Sequence, residues 1–332
     1  MEILENYIKQ MVADKIIPGA TYGIYQQGKW VNAQVGSSQL LPTALVLQEN
    51  AIYDVASLTK VLVTTPLLLK LYEQKQIDIL KPVHYYLPRF KYLEVTVKQL
   101  TTHQSGLAKN IPNYPIKTAT DVENYMYDIP QDNTAGDTIN YSDANFLLLG
   151  AVIEAVTKQP IDRLFSEQIT KPLAIENLLF NPKNKAKLEC VPTELHTQRG
   201  LIKGDVHDHK AYCLGGIAAH AGLFANIEAI EKLINHLMGW NSPELLTDES
   251  RKLIQTVQGE DRVNKRSIGW DLRFNQAQQP IMYHTGFTGT FILINPMKTE
   301  AVIVLTNRIH PNRENQLFLT VRDKFIEAYC KR

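Results

Sequence analysis

Cysteine is scarce in the sequence: Cys190, Cys213 and Cys330 lie far apart, with no CxxC spacing. An odd, scattered set excludes a disulfide-stapled scaffold and a paired-cysteine zinc ribbon. These three read as reduced, partly buried small residues. Charge of one sign is missing as well. Lys and Arg number 35 against 34 Asp and Glu, a formal net charge of +1, and no basic run or stripe breaks the balance. Nothing electrostatic therefore favours nucleic acid or an anionic membrane surface. Long apolar runs are absent too. The longest, "VLVTTPLLL", is too short and too interrupted to span a bilayer. The opening "MEILENYIKQMVADKI" lacks the uninterrupted apolar stretch of an export signal. Its Ile3, Leu4, Tyr7, Ile8, Met11 and Val12 fall instead on one face of a helix. A cytoplasmic location is the expectation.

With 332 residues and 44% hydrophobic content, the chain can bury a sizeable core as one large domain or two intimate ones. "GATYGIYQQGKWVNAQVG" predicts a β-hairpin turning at Gln27 to Lys29. From Ser57 to about Gln74 the pattern is helical and apolar, and Pro66 predicts a kink or a tight first turn. "TVKQLTTHQSG" predicts a short helix closed by Gly106, and "SDANFLLLGAVIEAVTKQ" a longer one capped by Ser142 or Asp143. "AIEKLINHLMG" and "TDESRKLIQTV" predict two more helices. Strands return in "SIGWDLRF", "GTFILINP" and "EAVIVLTN", and a helix from about Glu314 to Tyr329 closes the chain. Hairpins at both ends without βαβ alternation predict an α+β fold: an antiparallel sheet flanked by helices, plus an inserted mainly helical region. Residues 1–80 and 260–332 are expected to form a discontinuous sheet domain, with 81–259 as the insertion.

The chemistry must be sought by elimination first. No GxSxG elbow, HExxH or P-loop is present, and "HQSGL" around Ser105 lacks the first glycine of the elbow. What remains is "SLTK", in which Ser57 and Lys60 lie one helical turn apart on one face. Alone it decides nothing. A serine nucleophile needs a base, donors for the oxyanion and an acid for the leaving group. "NYSDANF" places Tyr141 just before a helix, and "YHTGFTGT" places His284, Thr285 and Gly286 ahead of an apolar strand, where backbone N–H groups can face a substrate.

Taken in order, S-x-x-K, the Tyr141 segment and H-T-G resemble the motif series of the penicillin-recognising serine hydrolases: class C β-lactamases, D-alanyl-D-alanine carboxypeptidases and their esterase and D-aminopeptidase relatives. "LTTHQSGL", "VHDHKAYCLGGIAAHAGLFA" and "HTGFTGTFILINP" extend the resemblance over nearly the whole chain. It implies a β-lactamase/transpeptidase-like fold, no cofactor and no metal. Ser57 is implied as the acylated nucleophile, Lys60 as its activating neighbour and Tyr141 as the acid/base group. Which of the two takes the serine proton stays open. The backbone N–H groups of Ser57 and Phe287 are implied as the oxyanion hole. Two departures shape the expected substrate. Asp143 stands where the family has asparagine, and an ionised carboxylate cannot donate to an acyl-amide carbonyl. His284 replaces the commoner lysine and removes a fixed charge for a substrate carboxylate. The expectation is therefore a hydrolase of small esters or amides rather than an efficient β-lactamase. A carboxypeptidase or β-lactamase, or a slowly acylating binding protein for cell-wall-like peptides, is the alternative. A third reading draws on His207, Asp208, His209, Cys213 and His220, whose mixed donors are spaced more loosely than structural zinc sites. In that reading's absence, His207 and Asp208 brace a loop, and His220 and His103 are packed neighbours.

Overall fold

The apolar runs near the two ends of the chain pair with one another. In the computed structural model, which describes residues 2–332, strand Gly19–Gln26 lies antiparallel to Lys29–Gln39 on one side and to Glu300–Thr306 on the other. Nine antiparallel strands result, continuing through Phe291–Asn295, Pro280–Thr285 and Asp271–Phe274 to Gly259–Glu260 at the far edge. Strands buried on both faces need no polar alternation, which is why "FILIN" and "AVIVL" read as unbroken apolar runs. The period of two persists in their destinations. Phe291, Leu293, Val302 and Val304 face the terminal helices Glu2–Ala13 and Gln316–Cys330, whereas Ile292, Ile294, Ile303 and Leu305 join the core shared with the helical region. The first helix buries Leu4, Ile8 and Met11 as expected. Ile3 instead points to solvent, because the covered stripe is centred one residue further round.

The helical region packs helix Thr65–Glu73 and helix Asp143–Thr157 against the second sheet face. Among the described residues no helix is long and apolar enough to cross a membrane. Several boundaries differ from the sequence expectation for local reasons. The segment after Ser57 is not one helix. A 3-10 turn, Ala56–Leu58, passes through a π turn, Lys60–Thr64, into the α-helix, and the wide turn delivers Pro66 to the first α turn, where its missing N–H is harmless. Helix Val97–Thr101 ends before Gly106, with the left-handed residue at His103. In "SIGWDLRF" only Asp271–Phe274 pairs as a strand, since Ser267 N–H bonds back to the Trp270 carbonyl around Gly269.

One buried acid of the frame gives a stability test. Glu231, on helix Ile227–Met238, accepts a hydrogen bond from Asn32 Nδ2 at 3.2 Å, while its other oxygen is buried with no partner among the described residues. Burial pushes its carboxyl up to about 7 against the pull of that hydrogen bond, with Glu228 adding to the rise. The folded chain therefore binds this proton more tightly than the unfolded one, and stability is lost as pH rises from about 4.5 towards 7. Glu231→Gln is expected to gain roughly 2–3 kcal/mol relative to the parent between pH 4 and pH 8, read by urea unfolding. A gap that stays constant with pH would contradict this.

Candidate active site

The turn ahead of Ser57 is held open by a side chain the sequence did not flag. Ala56 has φ of 47°, a left-handed conformation that costs a non-glycine residue roughly 1 kcal/mol or more. Buried Asp54 stabilises it by accepting the Ala56 N–H at 2.9 Å with one oxygen and the His207 N–H at 2.8 Å with the other. The turn after His284 closes on the same segment. Thr288 Oγ1 donates to the Asp54 carbonyl and Thr290 Oγ1 to the Val55 carbonyl. A Cβ at Gly286 would lie 2.5 Å from the Val55 carbonyl oxygen, so glycine there is a requirement of close approach. The turn carrying Ser57 and the turn carrying Phe287 thereby sit side by side.

Lys60 is 0% exposed, and its three N–H groups meet three acceptors: Ser57 Oγ at 2.9 Å, Asp143 Oδ1 at 3.0 Å and the His220 carbonyl at 3.2 Å. Burial alone pushes its pKa down, but the Asp143 carboxylate and then Tyr141 outweigh it, and the net shift is upward. Asp143 shows the converse. Burial raises it, while Lys60, His220 and Lys210 together hold its carboxyl well below the usual carboxylate range. Its second oxygen lies 3.3 Å from Lys210 Nζ. Neither Ser142 nor Asp143 caps the helix with its side chain, contrary to the sequence expectation, because Asp143 is drawn to the two ammonium groups.

Tyr141 leads into the same helix. Its ring centroid is 5.1 Å from Lys60 Nζ and 4.5 Å from the His103 ring. His103 Nδ1 meets Asn145 Nδ2 at 2.9 Å and the Ser142 N–H at 3.3 Å. Both are donors, so Nδ1 is the acceptor and the ring is the Nε2–H tautomer. Burial, then the charges of Arg266 and Lys60, push its pKa well down and keep it neutral. Asn145 is spent in this brace, since its carbonyl accepts from Ser105 Oγ at 2.6 Å.

His284 is buried, and its Nδ1 bonds to the Thr285 carbonyl at 3.0 Å. Burial, Arg266 and Lys60 hold it neutral, well below the usual imidazole range. A buried cation close to His284 is Arg266, another residue the sequence reading missed. It is 5% exposed, lies 6.0 Å from the Tyr141 ring, and lines a cavity of about 80 Å³ with Tyr141, Asp271, Tyr283, His284 and Thr285. Arg266 directly follows Lys265 in "NKRSIGW", so the sequence gives little to set it apart. Phe287 is 47% exposed at the rim, with its ring stacked on His207 and the Arg308 guanidinium 4.9 Å from it.

The rival metal set does not converge. His207 Nε2 turns to Glu194 at 2.8 Å, and His209 Nε2 to the Ile116 carbonyl at 2.9 Å. Asp208 accepts the Ala211 N–H at 2.8 Å and pairs with His220 Nε2 at 2.9 Å. Asp143, Asp208 and His220 do bring potential ligand atoms within 4.8 Å of one another. Lys60 and Lys210 already pair with Asp143, and His220 with Asp208, so a divalent cation would have to displace them. Burial pushes all three thiols up, Cys190 to about 12 and Cys330 to about 11.

Known proteins resemble this chain over most of its length. The family model described as Beta-lactamase matches residues 4–322. A protein of Salmonella agona named putative D-alanyl-D-alanine carboxypeptidase is 30% identical over 319 residues, which covers 82% of this chain and 73% of that one. Among solved structures, a class C β-lactamase from Rhodobacter sphaeroides superposes with a TM-score of 0.78 at 17% identity, covering 99% of both chains. A penicillin-binding protein homologue from Pyrococcus abyssi superposes with a TM-score of 0.77 at 19% identity, covering 99% of this chain and 78% of that one. The expected α+β, β-lactamase/transpeptidase-like fold is the observed one. On the extent of that match, the chain belongs to the Beta-lactamase family and is a serine hydrolase.

Proposed function

We propose that the enzyme hydrolyses small acyl esters or amides through an acyl-enzyme on Ser57, with Tyr141 as the group that takes the serine proton. The observation that carries this is the saturation of Lys60: its three N–H groups have three acceptors, one of them Ser57 Oγ. An ammonium so placed cannot accept a proton, but it stabilises negative charge on Ser57 Oγ and on the phenol oxygen. Ser57 Oγ attacks the carbonyl carbon and its proton passes to Tyr141. The carbonyl oxygen becomes an oxyanion held by the N–H groups of Ser57 and Phe287. Collapse breaks the bond to the leaving group, which departs with the proton from Tyr141. Water then gives a proton to the same group and attacks the acyl carbon; the bond to Ser57 Oγ breaks, Tyr141 returns the proton to Ser57, and the acid leaves.

Asp143 offers no donor to the acyl side, which favours esters over β-lactams. The D-Ala-D-Ala carboxypeptidase reading is the second one. Its support is Arg266 behind Thr285, a buried cation suited to a substrate carboxylate, and the name carried by the Salmonella relative. A reducing, cytoplasmic compartment belongs to the proposal as well, in keeping with three unpaired cysteines. Intact-mass measurement after mixing with p-nitrophenyl butyrate and with a penicillin tests the reading. The expected result is a butyryl adduct on the Ser57 peptide that turns over, and a slower penicilloyl adduct. Ester turnover with the adduct on another residue would overturn it.

A further inference from the structure

The segment after Tyr141 presents no free side-chain amide. Asp143 stands at the position from which an amide would donate, and both its oxygens are engaged with ammonium groups. Asn145, the other amide of that segment, is buried and bonded to Ser105 and His103. Lys210 lies next to this gap. Its Nζ is 3.3 Å from Asp143 Oδ2, the opposite oxygen is 3.0 Å from Lys60 Nζ, and Lys60 Nζ is 2.9 Å from Ser57 Oγ. One carboxylate thus separates Lys210 from the lysine that touches the nucleophile. Lys60 is sealed and saturated, whereas the side chain of Lys210 is 20% exposed, and among the described residues Asp143 is the carboxylate it pairs with. Its Nζ also lies 5.8 Å from the Tyr125 ring, and its exposed part leaves an N–H donor to meet a substrate.

The loop that carries it is built to hold it there. Asp208 accepts the Ala211 N–H at 2.8 Å, fixing the start of the short helix His209–Cys213 that includes Lys210. The same oxygen accepts from His220 Nε2 at 2.9 Å, and the His220 carbonyl accepts from Lys60 at 3.2 Å. Gly150 lets this loop close on the helix behind it, since a Cβ there would lie 2.6 Å from the Ala219 Cβ. The "HDHK" and "AAHAG" segments, unassigned by the hydrolytic mechanism, thereby acquire one purpose. They set a second ammonium beside Asp143.

We propose that Lys210 is a specificity-determining residue whose ammonium donates to a carbonyl oxygen on the acyl side of the substrate. The substrates it favours are acylamino-acyl esters and amides, peptide-like in their acyl portion, over plain alkanoyl esters. The inference rests on the acyl-enzyme reading above. Its test compares p-nitrophenyl N-acetylglycinate, which carries that carbonyl, with p-nitrophenyl butyrate, which does not. In Lys210→Met the ratio of kcat/KM for N-acetylglycinate to that for butyrate is expected to fall about tenfold from its parent value, the scale of one donor to a carbonyl in a partly dry site. Lys210→Gln removes the charge but keeps N–H donors, and should show a smaller fall. Equal losses on both esters in both variants would mean that Lys210 acts only by holding Asp143, and the proposal would fail. A parent enzyme that forms no Ser57 adduct with butyrate would instead sink the acyl-enzyme reading, and the two failures are told apart by that adduct.

Discussion

Ser57→Ala is expected to abolish ester turnover and covalent labelling by a fluorophosphonate together, a loss of roughly 10⁴-fold or more, as for nucleophiles of other serine hydrolases. The two readouts must fall together because the same oxygen forms both bonds. The fold should survive, since Ser57 is half-buried and its Oγ bonds only to Lys60 among the described residues. Tyr141→Phe should cost on the order of 10²- to 10⁴-fold, the range for a lost acid/base group, while leaving slow labelling at Ser57. Lys60→Ala should cost at least as much. It leaves Asp143 facing the vacated, buried space and removes the cation that steadies both reacting oxygens. Ser57→Ala that still turns over p-nitrophenyl butyrate at the parental rate would overturn the assignment.

The residues of that prediction were legible in the sequence because their chemistry is carried by short, ordered strings: "SLTK", "NYSD" and "HTG" each hold their groups within a few positions. The strands at 291–295 and 300–306 were legible for a similar reason, since burial on both faces writes an unbroken apolar run. What could not be read depends on partners far away in the chain. Asp54 looks like any acid before a helix until its oxygens are found on the N–H groups of Ala56 and His207. Arg266 acquires meaning only when its strand is laid beside Tyr141. Lys210 is one of many lysines until Asp143 is brought to it. The left-handed Ala56 gives no signal at all, because alanine has no preference for that conformation and the tertiary contacts impose it.

Asp143 is the residue whose replacement separates the two possible bases. In the folded enzyme burial pulls the pKa of Lys60 down and the Asp143 carboxylate, with Tyr141, more than restores it. Asp143→Asn removes the larger of those two supports, so burial weighs more and the pKa of Lys60 falls. If the charged form of Lys60 is the working one, kcat/KM declines on the alkaline side as Lys60 loses its proton. The substitution then shifts that limb to lower pH, so activity on the alkaline side is lost earlier than in the parent, with little change on the acid limb. If neutral Lys60 were the base, its pKa would govern the acid limb instead. The same substitution would move that limb to lower pH and raise activity near pH 6. The amide that Asp143→Asn introduces could also donate to an acyl-side carbonyl, worth roughly 1 kcal/mol, so butyrate is the proper reporter for the pH profile and a penicillin for the donor. A faster variant at pH 6 with an unmoved alkaline limb would transfer the serine proton from Tyr141 to Lys60. An alkaline limb displaced to lower pH leaves it with Tyr141.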